Sequence, residues 1–220
     1  MTLFVPAAVL FDLDGVLIES LSHHFHSWRT ILSEYNIDVT LRDIALGEGE
    51  RADVSLRRFF REKANCDISE EEVTTLLQNK RTIFRENNPP KLLPEAKSVL
   101  QFFRDKKVPI GLVSGSAITN VRNSLTDEDL GLFNTTVTGE ANLPGKPDPA
   151  PYREAIKRLH VEPEKCWVVE NAPFGVRSAK AAGAFTIALT TTLSKEDLTG
   201  ADVFCERITE VIDLFNQVTN

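Results

Sequence analysis

Cysteine, methionine and the larger aromatic residues are scarce in this chain of 220 residues, which contains 3 Cys, 1 Met, 2 Trp and 2 Tyr. The cysteines, Cys66, Cys166 and Cys205, are scattered and odd in number, so they suit neither a disulfide framework nor a metal cluster. Cys166 and Cys205 lie next to apolar runs, as buried thiols do. Unpaired thiols are typical of a reducing compartment, so we predict a cytoplasmic protein.

An excess of positive charge and long apolar runs are also missing. The formal net charge of −7 at pH 7 argues against nucleic acid or an anionic membrane as the main partner. No segment approaches the roughly 20 apolar residues that span a bilayer, and the apolar N-terminus lacks the basic leader and cleavage site of a signal peptide. We therefore expect a small-molecule partner, no nucleic acid and no membrane. The sequence leaves monomer and homodimer open.

Hydrophobic periodicity divides the chain into two kinds of segment. Residues 21–88 contain no β-rich run, and their apolar side chains recur at helical spacing, which indicates a small helical bundle. Ser69-Glu70-Glu71-Glu72 resembles a capping box that begins the last of these helices, and Asn87-Asn88-Pro89-Pro90 ends it. The apolar positions that carry the pattern are Phe25, Trp28, Ile31, Leu32, Val54, Leu56, Phe59, Phe60, Val73, Leu76, Leu77, Ile83 and Phe84.

The rest of the chain alternates apolar strands with helices, which is typical of a parallel sheet covered on both faces. The sequence thus predicts an α/β fold. We expect a Rossmann-like parallel-sheet core of residues 1–19 and 89–220, with an all-helical cap of residues 20–88 inserted after the first strand. The strands are expected at residues 5–10, 108–113, 135–137, 166–169 and 185–189.

The first predicted strand ends in two carboxylates, in the segment Phe11-Asp12-Leu13-Asp14-Gly15-Val16. Two acids that were buried together would repel each other, so the pair needs a counter-charge. Mg²⁺ is the simplest one, because it prefers oxygen ligands and is usually held by one or two carboxylates together with a substrate phosphate. One carboxylate could then attack a phosphoryl group. Solvated acids at an ordinary strand-to-loop junction are the alternative.

Three later segments place polar residues after predicted strands, where ligands bind in open α/β sheets. They are Val113-Ser114-Gly115-Ser116, Gly145-Lys146-Pro147-Asp148-Pro149 and Val168-Val169-Glu170-Asn171. Together with the first segment, and in this order, they resemble the motifs of the haloacid dehalogenase-like superfamily of phosphatases and phosphomutases. Within it, the chain resembles the helical-cap subgroup of β-phosphoglucomutase and phosphoglycolate phosphatase. The similarity covers essentially the whole chain.

The resemblance implies a role for each residue of these motifs. Asp12 would be the nucleophile, which forms an aspartyl-phosphate. Asp14 would be the general acid and base, and its pKa can be raised beside a bound phosphate. Ser114 and Gly115 would bind phosphate oxygens. Lys146 would bind phosphate as well, and would neutralise both the nucleophile and the transferring phosphoryl group.

The implied metal site departs from the family pattern at its last position. The resemblance implies Mg²⁺ as the cofactor, with Asp12, Asp14, Glu170 and Asn171 as its ligands. The usual pair at the last two positions is two acids, whereas here the second is a neutral amide. An amide oxygen can still bind Mg²⁺, so we expect the difference to affect metal affinity more than reaction type. A degenerate, inactive site is the alternative.

Two residues of the predicted cap are candidates for substrate contacts. The segment His24-Phe25-His26-Ser27-Trp28 resembles the cap segment of β-phosphoglucomutases, which implies that His24 couples sugar binding to proton transfer. Glu48-Gly49-Glu50-Arg51 is a glycine-containing loop of the kind that reads the substrate in this family, so Arg51 could meet a second anionic group. A helix-surface histidine and a solvated loop arginine are the plainer alternatives.

These inferences predict an enzyme that acts on a small phosphorylated metabolite. We expect a Mg²⁺-dependent phosphatase that hydrolyses a sugar or glycol phosphate through an aspartyl-phosphate. A phosphomutase of the β-phosphoglucomutase type is the alternative, which His24 and Arg51 keep open. A catalytically silent binding module is supported by Asn171 alone. Dehalogenation is a weaker alternative, because the second aspartate, Asp14, favours phosphoryl chemistry.

Overall fold

A sheet of six parallel strands forms the centre of the structure, a computed structural model that describes residues 2–219. The strands lie in the order β3-β2-β1-β4-β5-β6. Among the helices of residues 2–219, none has the length and hydrophobicity of a bilayer-spanning segment. The strands are β1 (Ala8–Phe11), β2 (Ile110–Val113), β3 (Thr135–Val137), β4 (Cys166–Glu170), β5 (Phe185–Leu189) and β6 (Val203–Cys205).

Helices surround the sheet, and the first four follow one another between β1 and β2. We refer to these four, residues 21–86, as the helical segment. The other helices lie before, between or after the later strands, and a short 3₁₀ turn, Pro163–Lys165, precedes β4. The helices of the described chain are α1 (Leu21–Ser33), α2 (Leu41–Leu46), α3 (Ala52–Ala64), α4 (Glu70–Glu86), α5 (Pro94–Asp105), α6 (Ile118–Ser124), α7 (Asp127–Leu130), α8 (Ala150–Leu159), α9 (Pro173–Ala181) and α10 (Glu210–Thr219).

Both faces of the sheet are buried, which is why the strands are continuous apolar runs in the sequence. Successive side chains of a strand point to opposite faces. On β1, Val9 and Phe11 pack with the apolar residues of α5 and α10. Ala8 and Leu10 pack on the other face, with those of α8 and α9. None of these four residues has any exposed surface.

The helical segment has an apolar core of its own, in which Trp28, Phe59 and Leu76 belong to one cluster. The capping box predicted at Ser69 is present at the start of α4. Val54, one of the apolar positions that predicted the helix now seen as α3, is not part of this core, because its side chain is 45% exposed. Position 54 lies on the side of α3 opposite to the residues that face the core.

The observed elements differ from the predicted ones where they are short. The first strand begins at Ala8 rather than at residue 5, and β2 begins at Ile110 rather than at residue 108. The sequence does not predict α2 or β6, which have six and three residues. Such short elements carry too few residues to show a periodic pattern.

The chain changes sides of the sheet after β3. Strands β2 and β3 extend the sheet on one side of β1, and β4, β5 and β6 extend it on the other. Ligands of open α/β sheets bind outside the carboxyl ends of the strands at such a point. The register pairs Phe11 with both Leu112 and Val169. The residues that follow β1, β2 and β4 therefore meet at one edge.

Phe103 of α5 tests how strongly the fold depends on this packing, because it is fully buried and contacts the rings of Phe11 and Phe215. Phe103→Ala should lower the free energy of unfolding by about 3–5 kcal/mol, since the lost ring leaves a cavity. Val54→Ala, at an exposed position, should change it by about 0.5 kcal/mol or less. Urea denaturation measures both, and equal losses would contradict the packing described.

Candidate active site

Asp12 follows β1 directly and lies at the centre of the candidate site. Its backbone N–H donates to the carbonyl oxygen of Val169 on β4 over 3.1 Å. The parallel pairing therefore continues past the end of β1 and brings Asp12 beside Glu170. The Asp12 side chain is only 3% exposed, so the fold encloses a carboxylate that the sequence alone could have left in solvent.

Lys146 lies between Asp12 and Glu170 as a buried counter-charge. Its ammonium group is 2.6 Å from Asp12 Oδ1 and 2.6 Å from Glu170 Oε1. It also donates to the carbonyl oxygen of Val113 over 3.2 Å, so each of its three donors has an acceptor. Burial works to lower the pKa of Lys146, but the two carboxylates outweigh burial and raise this pKa above its ordinary value.

Glu170 is held by donors on both of its oxygens. Tyr152 of α8 donates to Oε1 over 2.6 Å, and the backbone N–H of Asn171 donates to Oε2 over 3.0 Å. A Cβ atom at Gly175 would overlap the Glu170 carboxylate. The start of α9 can therefore lie this close to Glu170 only because residue 175 is glycine. Tyr152 is not among the predicted site residues, because a tyrosine on an apolar helix face carries no signal beyond burial.

The acids at this edge have too little counter-charge. Burial raises the pKa of Asp12 to about 7; Lys146 opposes this shift, and the carboxylates of Glu170 and Asp14 add to it. A carboxylate must be ionised to act as a nucleophile. A further cation at Asp12 would lower this pKa, because an opposite charge favours the ionised form.

Asp14 lies two residues further along, facing the helical segment. Its Oδ1 accepts a hydrogen bond from Ser20 Oγ (2.7 Å) and lies 3.0 Å from His24 Nε2. Ser116 Oγ is 3.4 Å from its Oδ2. Burial works to raise the pKa of Asp14, but His24 and Ser20 outweigh burial and hold this pKa at about 2. The protein's own contacts thus keep Asp14 ionised. They do not by themselves produce the raised pKa that is expected for Asp14 beside a bound phosphate.

Lys80 of α4 is a site residue that the sequence did not predict. Its ammonium group lies 3.3 Å from His24 Nδ1 and 4.7 Å from the centre of the Trp28 ring. Burial lowers the pKa of Lys80 to about 8, and burial together with Lys80 lowers the pKa of His24. The sequence did contain a sign of a functional role for Lys80, because this residue interrupts the apolar stripe of α4 between Val73 and Phe84. Lysine is rarely buried without a partner.

Ser114 and Gly115 follow β2 and lie at the same edge of the sheet. Ser114 Oγ is buried and accepts a hydrogen bond from the N–H of Ser116 over 3.1 Å. The next helix begins at Ile118, so the N–H groups of Gly115 and Ser116 belong to a loop rather than to a helix start. Gly115 touches the helical segment, since a Cβ atom there would lie 3.1 Å from the carbonyl oxygen of Gly49.

Arg51 stands at the border of the site, directly before α3. Its Nε pairs with Asp53 Oδ1 over 3.0 Å, and 48% of its side chain is exposed. Its aliphatic stem packs closely over Gly145, the residue before Lys146. The structure thus places Arg51 beside the lysine loop and places His24 against Asp14.

Asn171 meets Glu48, a residue of the helical segment that the sequence did not predict. The Asn171 Nδ2 group donates to Glu48 Oε2 over 2.8 Å. Among the described residues, the other oxygen of each side chain, Asn171 Oδ1 and Glu48 Oε1, is buried without a hydrogen-bond partner. Glu48 carried no sequence signal of its own, because a glutamate in a glycine-containing loop is usually solvated.

The predicted Mg²⁺ ligands gather at this edge but do not form a cluster of acids. Within residues 2–219, no three His, Cys, Asp or Glu side chains form a group that could hold a metal ion. Lys146 lies between Asp12 and Glu170, and the last ligand is an amide. The donors are nevertheless all oxygen atoms, as Mg²⁺ prefers, and the buried, unpartnered Asn171 Oδ1 is an atom that a cation would satisfy. The residues present therefore fit Mg²⁺.

A cavity of about 580 Å³ opens between this edge of the sheet and the helical segment, within the usual size range of small-molecule sites. A larger, mainly apolar cavity of about 860 Å³ lies near Gly15 but is not lined by Asp12 or Asp14. Of these two cavities, only the smaller is lined by the carboxylates of the candidate site. The charged and polar groups that line it include Asp12, Asp14, His24, Glu48, Arg51, Lys80, Arg81 and Ser116.

Comparison with protein-family models matches residues 6–183 to haloacid dehalogenase-like hydrolases. The chain belongs to the haloacid dehalogenase-like hydrolase family. The matched range contains β1 to β4 and every side chain of the candidate site described above. The match confirms the family that the four sequence motifs predicted, together with the prediction of an enzyme.

Relatives of this hydrolase include both a phosphatase and a phosphomutase. Validoxylamine A 7'-phosphate phosphatase of Streptomyces hygroscopicus subsp. limoneus is 29% identical over 212 residues, which are 92% of this chain and 94% of the relative. β-Phosphoglucomutase of Bacillus subtilis is 28% identical over 188 residues, which are 82% of this chain and 81% of the relative. The β-phosphoglucomutase crystal structure from Clostridium difficile matches with a TM-score of 0.80 at 23% identity, covering 96% of this chain and 98% of that one. This match confirms the predicted α/β fold class.

Gly175 of the hydrolase tests whether close packing keeps Glu170 in place. Gly175→Ala should displace the Glu170 carboxylate from Lys146 and lower the free energy of unfolding by about 1–3 kcal/mol, because the added methyl group overfills the site. Arg177→Ala, at an exposed position of the same helix, should change it by about 0.5 kcal/mol or less. Chemical denaturation measures both. A Gly175→Ala protein as stable as the wild type would show that α9 does not confine Glu170.

Proposed function

We propose that the chain is a phosphatase that hydrolyses a small organic phosphate monoester, such as a sugar or glycol phosphate, through an aspartyl-phosphate at Asp12. The observation that carries this proposal is the buried contact of Lys146 with Asp12 and Glu170. A fixed ammonium group beside the carboxylate offers an anionic phosphoryl group a neutralised nucleophile to approach. The family and the phosphatase relative support the same reaction class.

Asp12 is the proposed nucleophile. One of its oxygens bonds to phosphorus while the bond from phosphorus to the ester oxygen breaks, and the leaving oxygen keeps the electron pair. The hydrogen bond from Lys146 to Oδ1 orients the carboxylate with Oδ2 free to attack. Water then attacks phosphorus, which releases phosphate and restores Asp12.

Asp14 is the proposed general acid and base. It needs a proton to protonate the leaving oxygen, although His24 and Ser20 hold its pKa at about 2. A substrate phosphate nearby would raise this pKa, because like charges disfavour the ionised form. His24, 3.0 Å away, can share the proton with Asp14. After the leaving group departs, ionised Asp14 can accept a proton from the attacking water.

Asp12, Asp14, Glu170 and Asn171 are proposed to hold Mg²⁺. When bound, Mg²⁺ supplies positive charge that reduces the repulsion between the nucleophile and the substrate phosphate. The raised pKa of Asp12 and the unpartnered Asn171 Oδ1 support its presence. Ser114 and Gly115, after β2, are proposed to bind the phosphate oxygens together with Lys146.

The helical segment is proposed to act as a cap of residues 20–88 over a core of residues 1–19 and 89–220. Its residues His24, Arg51 and Lys80 line the cavity from the side opposite the sheet. Arg51 and Lys80 would contact the part of an anionic substrate that does not react. Closure would exclude bulk water before the chemistry, and opening would release the product.

The setting of the enzyme is proposed to be the cytoplasm, with a monomer and a homodimer both compatible with the fold. Cys66, Cys166 and Cys205 are unpaired. Burial raises the pKa of Cys166 to about 12 and that of Cys205 to about 11, so these two thiols are unreactive. Unpaired, unreactive thiols are typical of proteins in reducing compartments.

A phosphomutase of the β-phosphoglucomutase type is the second candidate. The contact of His24 with Asp14 favours it, because a sugar bound to the helical segment could then control the general base. In a mutase, the phosphoenzyme waits for a sugar hydroxyl, whereas in a phosphatase water reaches it quickly. The phosphatase is placed first because the phosphatase relative matches a larger share of this chain.

Replacement of the nucleophile tests the covalent mechanism. Asp12→Asn should abolish phosphate release, because the size is kept and the nucleophilic charge is lost. We expect less than about 1% of the wild-type kcat, or roughly two orders of magnitude. Asp38→Asn, the same substitution at an exposed position, should leave kcat unchanged. Phosphate release is measured colorimetrically, with melting temperatures to verify folding, and higher residual turnover by a folded Asp12→Asn protein would contradict the mechanism.

A primer experiment decides between phosphatase and mutase. The protein is given β-glucose 1-phosphate with and without catalytic glucose 1,6-bisphosphate, and both products are followed over time. We expect inorganic phosphate to form faster than glucose 6-phosphate under both conditions, since water needs no bisphosphate to reach the phosphoenzyme. Faster formation of glucose 6-phosphate would reverse the order of the two candidates.

A further inference from the structure

The pair formed by Glu48 and Asn171 joins the helical segment to the sheet at the candidate metal site. Glu48 lies in the loop after α2 and is 6% exposed, and Asn171 follows β4 and has no exposed surface. The hydrogen bond from Asn171 Nδ2 to Glu48 Oε2 measures 2.8 Å. A carboxylate is among the costliest groups to bury without a charged partner, so a glutamate at this position needs an explanation.

Each member of the pair leaves one oxygen unused. Asn171 Oδ1 and Glu48 Oε1 are both buried without a donor in the part of the chain that the structure describes. The neighbouring charges do not help, because the carboxylates of Asp14, Asp12 and Glu170 lie close enough to repel Glu48. Two unused buried oxygens beside further carboxylates point to a cation as their common partner.

Gly15 leaves the space that this pair occupies. Its φ angle of +77° lies in the left-handed region. An added Cβ atom would overlap the Asn171 amide and would lie 3.2 Å from Glu48 Oε2. The turn after Asp14 therefore has no side chain at the place where Glu48 enters from the helical segment.

Because residue 171 is a neutral amide, the candidate cation site lacks one negative charge that an acid from another part of the chain could supply. The chain has one acid, Glu170, and one amide where the resemblance implies two acids. Glu48 restores the missing negative charge, but it comes from the helical segment rather than from the core. This charge is therefore present at the site only while the helical segment rests on the sheet.

We infer that Glu48 completes the cation site. Its Oε2 holds the Asn171 amide with Oδ1 toward the cation, and its Oε1 joins the ligands. This inference rests on the proposed cation-dependent function. The cation is a hard divalent ion such as Mg²⁺ or Mn²⁺, because every donor is oxygen. Cation binding and closure of the helical segment then favour each other, since a ligand that binds one of two states better shifts the equilibrium toward that state.

The first test is a Mn²⁺ titration of the metal-free protein, followed by the electron paramagnetic resonance signal of free Mn²⁺. Glu48→Gln can still accept the hydrogen bond from Asn171 but loses the charge, so the dissociation constant should rise about tenfold or more. Asn171→Asp should lower it, because two carboxylates then face the cation. Glu48→Gln combined with Asn171→Asp moves the carboxylate into the core and should restore nearly wild-type affinity.

Glu140→Gln is the matched control for this titration. Glu140 is exposed and lines the border of the same cavity, so its replacement removes one nearby negative charge without touching Asn171. Its dissociation constant should remain close to the wild-type value. An equal loss of affinity in Glu48→Gln and Glu140→Gln would mean that only the general negative field matters, and it would overturn the inference.

Hydrogen–deuterium exchange gives a second readout that a merely structural role would not change. Mn²⁺ should slow amide exchange in residues 46–51 of the wild type, because the cation holds Glu48 on the sheet. It should have no such effect when Glu48→Gln is combined with Asn171→Asp, because all the ligands then belong to the core. Protection of the loop by Mn²⁺ in this double variant would contradict the coupling.

The outcomes separate this inference from the proposed function. Wild-type affinity in Glu48→Gln would overturn the role of Glu48 and leave the phosphatase proposal intact. Failure of the wild type to bind Mn²⁺ would overturn the cation site itself, and with it the proposed Mg²⁺ dependence. If Glu48→Gln does not fold, Asn171→Asp decides the matter, because an affinity no tighter than that of the wild type would sink the inference.

Discussion

A buried lysine between two buried acids is the interaction on which the candidate site depends. Asp12 follows β1, Glu170 ends β4, and Lys146 comes from the loop between β3 and α8, so one ammonium group ties together three distant parts of the chain. Loss of one partner of such a group leaves an unpaired buried charge, at a cost of about 3–5 kcal/mol. The donor at Tyr152 and the bare backbone of Gly175 follow from the same constraint, because both keep Glu170 in position.

The same cluster contains more carboxylates than cationic groups, and this excess of negative charge shifts the pKa values of the acids in it. Burial raises the pKa of Asp12 and of Glu48, whereas Asp14 is stabilised as an anion by His24 and Ser20. A bound cation would correct the imbalance at Asp12 and Glu48 together. The helical segment meets this edge of the sheet through polar pairs, His24 with Asp14 and Glu48 with Asn171, and packs Ala45 against Val176 and Ala188 beside them. The geometry therefore links charge balance at the nucleophile to the position of the helical segment.

Most of the fold could be predicted from the sequence, because its long elements have clear patterns. The central strands are buried on both faces and therefore form continuous apolar runs, as in Val9 and Phe11 on one face and Ala8 and Leu10 on the other. The short elements α2 and β6 could not be predicted, since their positions depend on what they pack against. Val54 shows the same limit within a helix, because its apolar character suits the core but its angular position faces solvent.

The sequence by itself determined the family, the α/β order of elements and the motif residues Asp12, Asp14, Lys146 and Glu170, because their chemistry recurs at the ends of predicted strands. Only the tertiary structure decided which side chains reach those residues from elsewhere. Lys80 and Glu48 are far from the motifs along the chain, and each lies in a local sequence that also suits a solvent-exposed residue. Lys80 is buried against His24 and Trp28 where α4 packs on α1, and Glu48 is buried where the helical segment meets Asn171. These contacts depend on three-dimensional distance and complementary charge, which no local pattern of residues records.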